Sequence, residues 1–169
     1  MTTYIALLRA VNVGGTGKLP MAELRSMCES AGFAHVRTYV ASGNVVFECA
    51  LSKTAVKAKL ERCLADYAGK PVEVLIRTGK EMAAVVAANP FKAAAPNRTV
   101  AIFLDEPPPA DSLESVTGRR SEAIALGVRE IYVHYPDGIG DSKLKIPAAK
   151  TGTARNMNTV ATLAEWAAS

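Results

Sequence analysis

The first half of the chain alternates apolar and polar positions in a way that predicts six elements, in the order β-α-β-β-α-β. Three short runs of apolar and β-favouring residues, at 3–11, 35–40 and 44–50, are typical of strands. Residues 21–33 follow a proline and place apolar side chains three and four positions apart, which predicts a helix between the first two strands.

A second helix and a fourth strand complete this pattern. Ser52 is placed to cap the helix and Gly69 to end it. The apolar stripe of this helix consists of Val56, Leu60, Cys63, Leu64 and Tyr67. In residues 71–78, valine and isoleucine alternate with Glu73 and Arg77, which predicts a half-buried strand with one polar face.

The second half of the chain is less regular. Residues 79–91 predict a helix that ends at Asn89-Pro90, because the residue before a proline is disfavoured in helices. The elements expected after it include a buried strand at 99–105 and a short helix that follows a proline-rich connection. A pair of strands at 122–127 and 129–135 and a closing helix at about 159–168 are expected next. No strand is expected between that pair and the closing helix.

Together these elements predict an α+β protein. Two β-α-β units in this order are those of the split β-α-β, ferredoxin-like arrangement. Residues 3–77 are therefore expected to form a four-stranded antiparallel sheet with two helices on one face. The expected subdomains are a ferredoxin-like N-terminal half at residues 1–78 and a second, smaller α+β half packed with it, at residues 79–169.

Composition favours a soluble, cytoplasmic protein. Hydrophobic residues make up 49% of the chain and charged residues 21%, so that burial can offset the entropy of ordering the chain. No apolar run reaches the roughly 18–20 residues that span a bilayer. The N-terminal segment also lacks the basic region of a signal peptide. No membrane partner is expected.

The cysteines and histidines offer no evident metal site. Cys28, Cys49 and Cys63 are widely spaced and none forms a C-x-x-C pair, so they are interpreted as buried small hydrophobes. His35 and His134 lie far apart in sequence, and His134 is interpreted as a hydrogen-bonded structural residue. Neither a metal nor a cofactor is expected.

The net charge of +4 is concentrated near the C-terminal end. The segment from Ser142 to Thr162 has no acidic residue. Its basic residues are Lys143, Lys145, Lys150 and Arg155. The remaining basic residues balance all the acidic ones, so this segment predicts an anion-facing patch, with a solvated basic loop as the alternative.

The glycine-rich segment at residues 7–21 matches neither of two phosphate-binding motifs. A P-loop requires Ser or Thr after Gly-Lys, but Leu19 follows Gly17 and Lys18. A dinucleotide fingerprint fails because Pro20 occupies the position of the third glycine. What remains is a strand-to-helix loop whose amides can face an anion, and the alternative is a turn that serves only the backbone.

Two further segments carry candidate binding residues. Residues 42–44 form a short turn between predicted strands, and residues 150–158 combine positive charge with polar side chains just ahead of the closing helix. Capping of that helix by Asn158 or Thr153 is the alternative interpretation. The candidate ligand-binding residues of the three segments are Asn12, Gly14, Gly15, Lys18, Ser42, Gly43, Asn44, Lys150, Thr153, Arg155, Asn156 and Asn158. We expect the three segments to meet around one cleft between the two halves.

Four stretches of the sequence resemble, in order, the domain of unknown function 1697 (DUF1697) family. These stretches are YIALLRAVNVGGTGKLPMAELR, VRTYVASGNVVFE, REIYVHYPDGIGDSKL and GTARNMNTVATLAE. The resemblance implies a small bacterial protein of α+β architecture, similar to two ferredoxin-like halves packed together, and it implies no activity. The chain departs from the family pattern at Met157, where a tryptophan is frequent, and in the shorter stretch at residues 145–152.

Three hypotheses about function follow from these observations. The first is a module that binds a small anionic ligand, nucleotide-like or phosphorylated, in the cleft between the halves. The second is an enzyme of unassigned chemistry at the same cleft, which would involve Arg9, Lys18, Ser42, His134 or Arg155, without a catalytic role assigned to any of them. The third is a weak nucleic-acid-binding module that uses the basic C-terminal segment. The sequence gives no indication of the oligomeric state.

Overall fold

The structure is a computed structural model that describes residues 1–9, 19–39 and 43–168. It is a mixed α+β structure, and its described residues contain four α-helices and two four-stranded antiparallel sheets. The chain divides into two compact units, one formed by Met1–Met82 with Leu163–Ser169 and the other by Ala83–Thr162. The predicted α+β class is confirmed.

The sheet of the first unit consists of β1 (Thr2–Leu8), β2 (Ala34–Tyr39), β3 (Asn44–Cys49) and β4 (Val74–Thr78). Its spatial order is β2-β3-β1-β4, and all neighbouring strands are antiparallel. The four-stranded antiparallel sheet predicted for the first half of the chain is confirmed. Strands β2 and β4 form its edges.

Both helices of the first half, α1 (Met21–Ser30) and α2 (Lys53–Ala68), pack on one face of this sheet. The core between sheet and helices includes Tyr4, Ala6, Leu8, Leu24, Cys28, Val56, Leu60 and Leu64. The side chain of Ser52 caps α2 by accepting a hydrogen bond of 3.2 Å from the Ala55 amide, and Gly69 ends it with a φ of 71°. Both predictions about the ends of α2 are confirmed.

Two predictions about buried faces in the first unit are wrong. Tyr67 is 47% exposed rather than part of the buried stripe of α2, because the helix end from Asp66 onward lies in solvent. The face of β4 that was expected to be polar and exposed is buried, because Arg77 and Leu75 on that face are each only 1% exposed. The guanidinium of Arg77 donates a hydrogen bond of 3.2 Å to the carbonyl of Ile76, which helps to satisfy a charged group in a buried position.

The sheet of the second unit consists of β5 (Thr99–Phe103), β6 (Ala123–Leu126), β7 (Glu130–His134) and β8 (Thr153–Asn156). Its order is β6-β7-β5-β8, again antiparallel. One face is covered by an apolar cluster that includes Val100, Ile102, Ile131 and Val133. Strand β8 was not predicted, because its residues are mostly polar and only their pairing with β5 makes them a strand.

Helix α3 (Gly79–Ala87) ends before Asn89-Pro90, as predicted. The closing helix α4 (Met157–Ala168) begins two residues earlier than expected. Its cap is Asn156, whose Oδ1 accepts a hydrogen bond of 3.0 Å from the Thr159 amide. The proposed capping by Asn158 or Thr153 is therefore wrong, because Thr153 lies in β8 and Asn158 lies inside the helix.

Three short 3₁₀ helices, at Pro96–Arg98, Ser112–Ser115 and Pro147–Ala149, interrupt the connections of the second unit. None of the helices among the described residues combines the length and the apolar character needed to cross a bilayer.

Candidate functional site

Five of the candidate ligand-binding residues lie outside the described residues. They are Asn12, Gly14, Gly15, Lys18 and Ser42. The glycine loop and the first residue of the 42–44 turn therefore stay predictions.

The two described residues of that turn hold the strands of the first unit together. The carbonyl of Gly43 accepts a hydrogen bond of 2.9 Å from the Leu8 amide, and the φ of Gly43 is 85°. The side chain of Asn44 is fully buried and donates a hydrogen bond of 2.9 Å to the carbonyl of Tyr39. These contacts give both residues a structural role beside the paired ends of β2 and β3.

The candidates near the C-terminus lie in the second unit. Arg155 is 6% exposed, and its Nη1 donates hydrogen bonds of 2.7 Å to Thr153 Oγ1 and 2.9 Å to the Ala154 carbonyl. Burial lowers the pKa of Arg155 to about 10. Lys150 and Asn158 are exposed. The structure thus brings Thr153, Arg155 and the capping Asn156 together around β8, while a shared cleft with the other segments stays a prediction.

A cavity that the sequence did not indicate lies along the β2 edge of the first unit. Its volume is about 610 Å³. We call it the Trp166 cavity and define it by six of its lining residues, Arg25, Glu29, His35, Arg37, Glu48 and Trp166. Binding pockets for small molecules have volumes of about 300–1,000 Å³, so the cavity has the size of a ligand site.

One wall of the Trp166 cavity is an arginine–tryptophan pair. The guanidinium carbon of Arg37 lies 4.9 Å from the centre of the Trp166 ring, which is a cation–π contact. The Nη2 of Arg37 also donates a hydrogen bond of 2.7 Å to the carbonyl of Trp166. Tyr39 packs edge-on against the same indole at 5.2 Å between ring centres. These contacts fix the position of the indole and of a positive charge at the cavity surface.

The other four residues that define the cavity are arranged in two pairs. Arg25 Nε lies 3.6 Å from Glu29 Oε2, one turn along α1. The Nδ1 of His35 contacts Glu48 Oε2 across the β2-β3 pair. Each carboxylate of the cavity therefore faces a basic side chain.

His35 owes its position to a local irregularity in β2. The pairing of β2 with β3 shifts register between Ala34 and Arg37, as in a β-bulge. Within the described part of the chain, His35 is the one residue other than glycine with a positive φ, at 53°. Such a backbone costs a non-glycine residue about 1–2 kcal/mol.

A second, smaller depression lies in the second unit around Glu122, with a volume of about 100 Å³. The Glu122 carboxylate accepts hydrogen bonds of 2.6 Å from Ser142 Oγ and 2.6 Å from the Arg120 amide. Nearby, Ser121 Oγ donates to Asp137 Oδ2 at 2.7 Å. These bonds hold a loop in place. The described ranges contain no group of three or more His, Cys, Asp or Glu side chains that could bind a metal ion.

No motif in the sequence could have shown the Trp166 cavity. Its lining comes from β1, α1, β2, β3 and the end of α4, and the Arg37–Trp166 hydrogen bond joins residues 129 positions apart. The available signals were the single tryptophan of the chain and a histidine in a strand whose neighbours are basic or apolar.

Comparison with known proteins gives a family and a structural neighbour. The family model described as "Protein of unknown function (DUF1697)" matches residues 1–132. The structure of conserved bacterial protein SP0830 from Streptococcus pneumoniae superposes with a TM-score of 0.80 at 25% sequence identity. That likeness covers 98% of this chain and 98% of the neighbour, so the two have the same fold. No curated protein matches the chain.

Proposed function

The chain belongs to the family Protein of unknown function (DUF1697), and we propose that it binds a small anionic ligand in the Trp166 cavity of its first unit. The observation that carries the proposal is the convergence of Arg25, Arg37 and Trp166 on one solvent-accessible cavity. Guanidinium groups present planar sets of N–H donors that match carboxylate and phosphate oxygens. An indole ring offers a flat apolar surface for the remainder of a ligand.

The expected ligand therefore combines an anionic group with a compact, partly flat body, as a nucleotide or a phosphorylated metabolite does. Recognition rests on directed hydrogen bonds more than on net charge, because Glu29 and Glu48 offset two positive charges of the lining. Ligands of this kind pair well with arginine and bind less well to a lysine-rich patch.

Two proposals about the architecture accompany this proposal about function. The β-α-β-β-α-β order and the β2-β3-β1-β4 sheet support the description of the first unit as ferredoxin-like. The division of the chain near residue 82 supports a boundary close to the predicted one between residues 78 and 79, but Leu163–Ser169 belongs to the first unit and not to the second subdomain predicted at residues 79–169. A cytoplasmic location stays a prediction.

The fluorescence of Trp166 gives a direct test, because this is the only tryptophan of the chain and lies in the cavity. We would titrate the protein with inorganic phosphate, AMP, ribose 5-phosphate and citrate, and record the emission and the melting temperature. At least one compound should change the emission with saturation and raise the melting temperature, because a ligand that binds the folded state stabilises it.

Two arginine variants and a matched control locate the binding site. Arg37→Gln and Arg25→Gln should each raise the Kd at least about tenfold, since a hydrogen bond to a charged group contributes about 1.5–3 kcal/mol. Arg62→Gln, on the exposed face of α2, should leave the Kd unchanged. If none of the four compounds changes emission or melting temperature, the proposal fails.

A further inference from the structure

The contact between His35 and Glu48 has a feature that ligand binding alone does not require. In the β-bulge of β2, glycine would adopt the φ of 53° without the steric cost that a histidine incurs. Backbone strain of this kind persists where the surroundings hold a residue in place, and it concentrates at functional sites. The bulge directs the imidazole to Glu48 at the rim of the Trp166 cavity.

The chemistry of this pair is that of a proton acceptor. When Nδ1–H of His35 donates to the Glu48 carboxylate, the lone pair of Nε2 is available to accept a proton. The carboxylate also stabilises the imidazolium ion that then forms. The side chain of His35 is 76% exposed, so a water molecule can reach it.

We infer that His35 and Glu48 form a general-base dyad and that the Trp166 cavity hydrolyses a carboxylic ester that carries a second, anionic group. The inference rests on the proposed function only for the anionic group, which Arg25 and Arg37 would hold. A hydrolytic reaction fits the components of the cavity, which are a base, solvent access and donors for an anion.

The reaction balances with water as the only co-reactant. The water oxygen forms a bond to the ester carbonyl carbon while His35 Nε2 takes the proton of that water. The tetrahedral intermediate then collapses, the carbon–oxygen bond to the alcohol breaks, and the imidazolium gives its proton to the departing alkoxide. The products are a carboxylic acid and an alcohol, and the dyad returns to its starting state.

The test compares two chromogenic esters, the anionic mono-4-nitrophenyl succinate and the neutral 4-nitrophenyl acetate. The wild type should hydrolyse the succinate ester with a kcat/KM at least about tenfold above that for the acetate ester, because only the former has an anionic group. His35→Gln should lower kcat about 100-fold, within the range for loss of a general base. Glu48→Gln should lower kcat by a smaller factor.

The matched control is His134→Gln, because the chain has two histidines and His134 lies in the second unit. This variant should keep the wild-type rate, which would show that the loss of activity in His35→Gln is not a general effect of removing a histidine. The pH–rate profile of the wild type should show an inflection that His35→Gln lacks. Melting temperatures would confirm that all variants are folded.

Binding measured separately distinguishes the dyad from the proposed function. Titration of Trp166 fluorescence with succinate should give the same Kd for the wild type and His35→Gln. If His35→Gln binds succinate and also keeps the wild-type kcat, the dyad is overturned and the proposed function stands. Equal wild-type kcat/KM values for the succinate and acetate esters would also overturn the inference.

Discussion

The hydroxyl group of Tyr132 donates a hydrogen bond of 2.8 Å to the backbone carbonyl of Val85, in the last turn of α3. The amide of Asn89, four residues after Val85, bonds to Val86 instead, at 3.3 Å. The tyrosine therefore supplies a donor that the end of the helix does not, and it ties α3 to β7 within the second unit. Burial raises the pKa of Tyr132 to about 12, so the hydroxyl remains a donor at neutral pH.

Replacement of this hydroxyl should destabilise the second unit. Tyr132→Phe leaves the Val85 carbonyl without that donor, and the free energy of unfolding should fall by about 1 kcal/mol or slightly more. Tyr67→Phe, at a position 47% exposed, is the matched control and should change it by less than about 0.5 kcal/mol. Urea unfolding of the three proteins measures the difference, and equal midpoints would contradict the structural role of the hydroxyl.

The sequence predicted most of the first unit because its elements follow regular rules. Strands β1 and β3 have continuous apolar runs, and α2 has both a serine cap and a terminal glycine. Each of these signals is local, so neighbouring residues suffice to recognise it. The four-stranded sheet then follows from the order of the elements.

The features that the sequence missed depend on contacts between distant residues. Strand β8 has the sequence TARN, and its buried positions, Thr153 and Arg155, have polar side chains that normally indicate exposure. Arg77 in β4 is likewise buried, although its charged side chain normally indicates exposure. The Trp166 cavity forms only when the end of α4 meets β2, and no local pattern encodes that contact.

Burial changes what we expect of Arg155. Its side chain is 6% exposed and bonds to Thr153 and to the Ala154 carbonyl, so it contributes to the packing of β8. Arg155→Ala should lower the free energy of unfolding by about 2–3 kcal/mol, through loss of both packing and hydrogen bonds. Lys150→Ala, at an exposed position, should change it by less than about 0.5 kcal/mol. If urea unfolding gives Arg155→Ala the same free energy of unfolding as the wild type, this arginine does not stabilise the packing of β8.

The three cysteines should differ in reactivity. Cys28 is fully buried, and burial, together with the proximity of Cys63 and Glu29, raises its pKa to about 12. Cys49 is 5% exposed, whereas Cys63 is half-buried, contrary to the expectation that all three are buried. Titration of the native protein with Ellman's reagent should therefore detect one thiol, because thiolates react and buried thiols are protected.

The number of reactive thiols should rise from one to three in denaturant, since the chain contains three cysteines and the structure has them free. Cys63→Ser should abolish the reaction of the native protein and leave two thiols after unfolding. Rapid reaction of native Cys63→Ser would mean that Cys28 or Cys49 is more accessible than the structure indicates.

Glu122 should make the stability of the protein depend on acidic pH. The hydrogen bond from Ser142 lowers the pKa of the Glu122 carboxyl below its ordinary value of 4.5, and the bond from the Arg120 amide lowers it further. A carboxyl whose pKa is lower in the folded state stabilises the fold at all pH values above the unfolded pKa. That contribution is lost as the pH falls below about 4.5 and passes through the lower pKa of the folded state.

Glu122→Gln should therefore be less stable than the wild type at pH 7, and the difference should shrink as the pH is lowered below 4.5. Ser142→Ala should show the same trend, because the serine hydroxyl is the main cause of the lowered pKa of Glu122. Glu114→Gln is the matched control, at an exposed position of the same unit, and should follow the wild-type profile. Denaturant unfolding at a series of pH values from 7 to 3 measures these differences. A constant difference between Glu122→Gln and the wild type across this range would show that the ionised carboxylate does not contribute, because only a group that titrates differently in the two states makes the difference vary with pH.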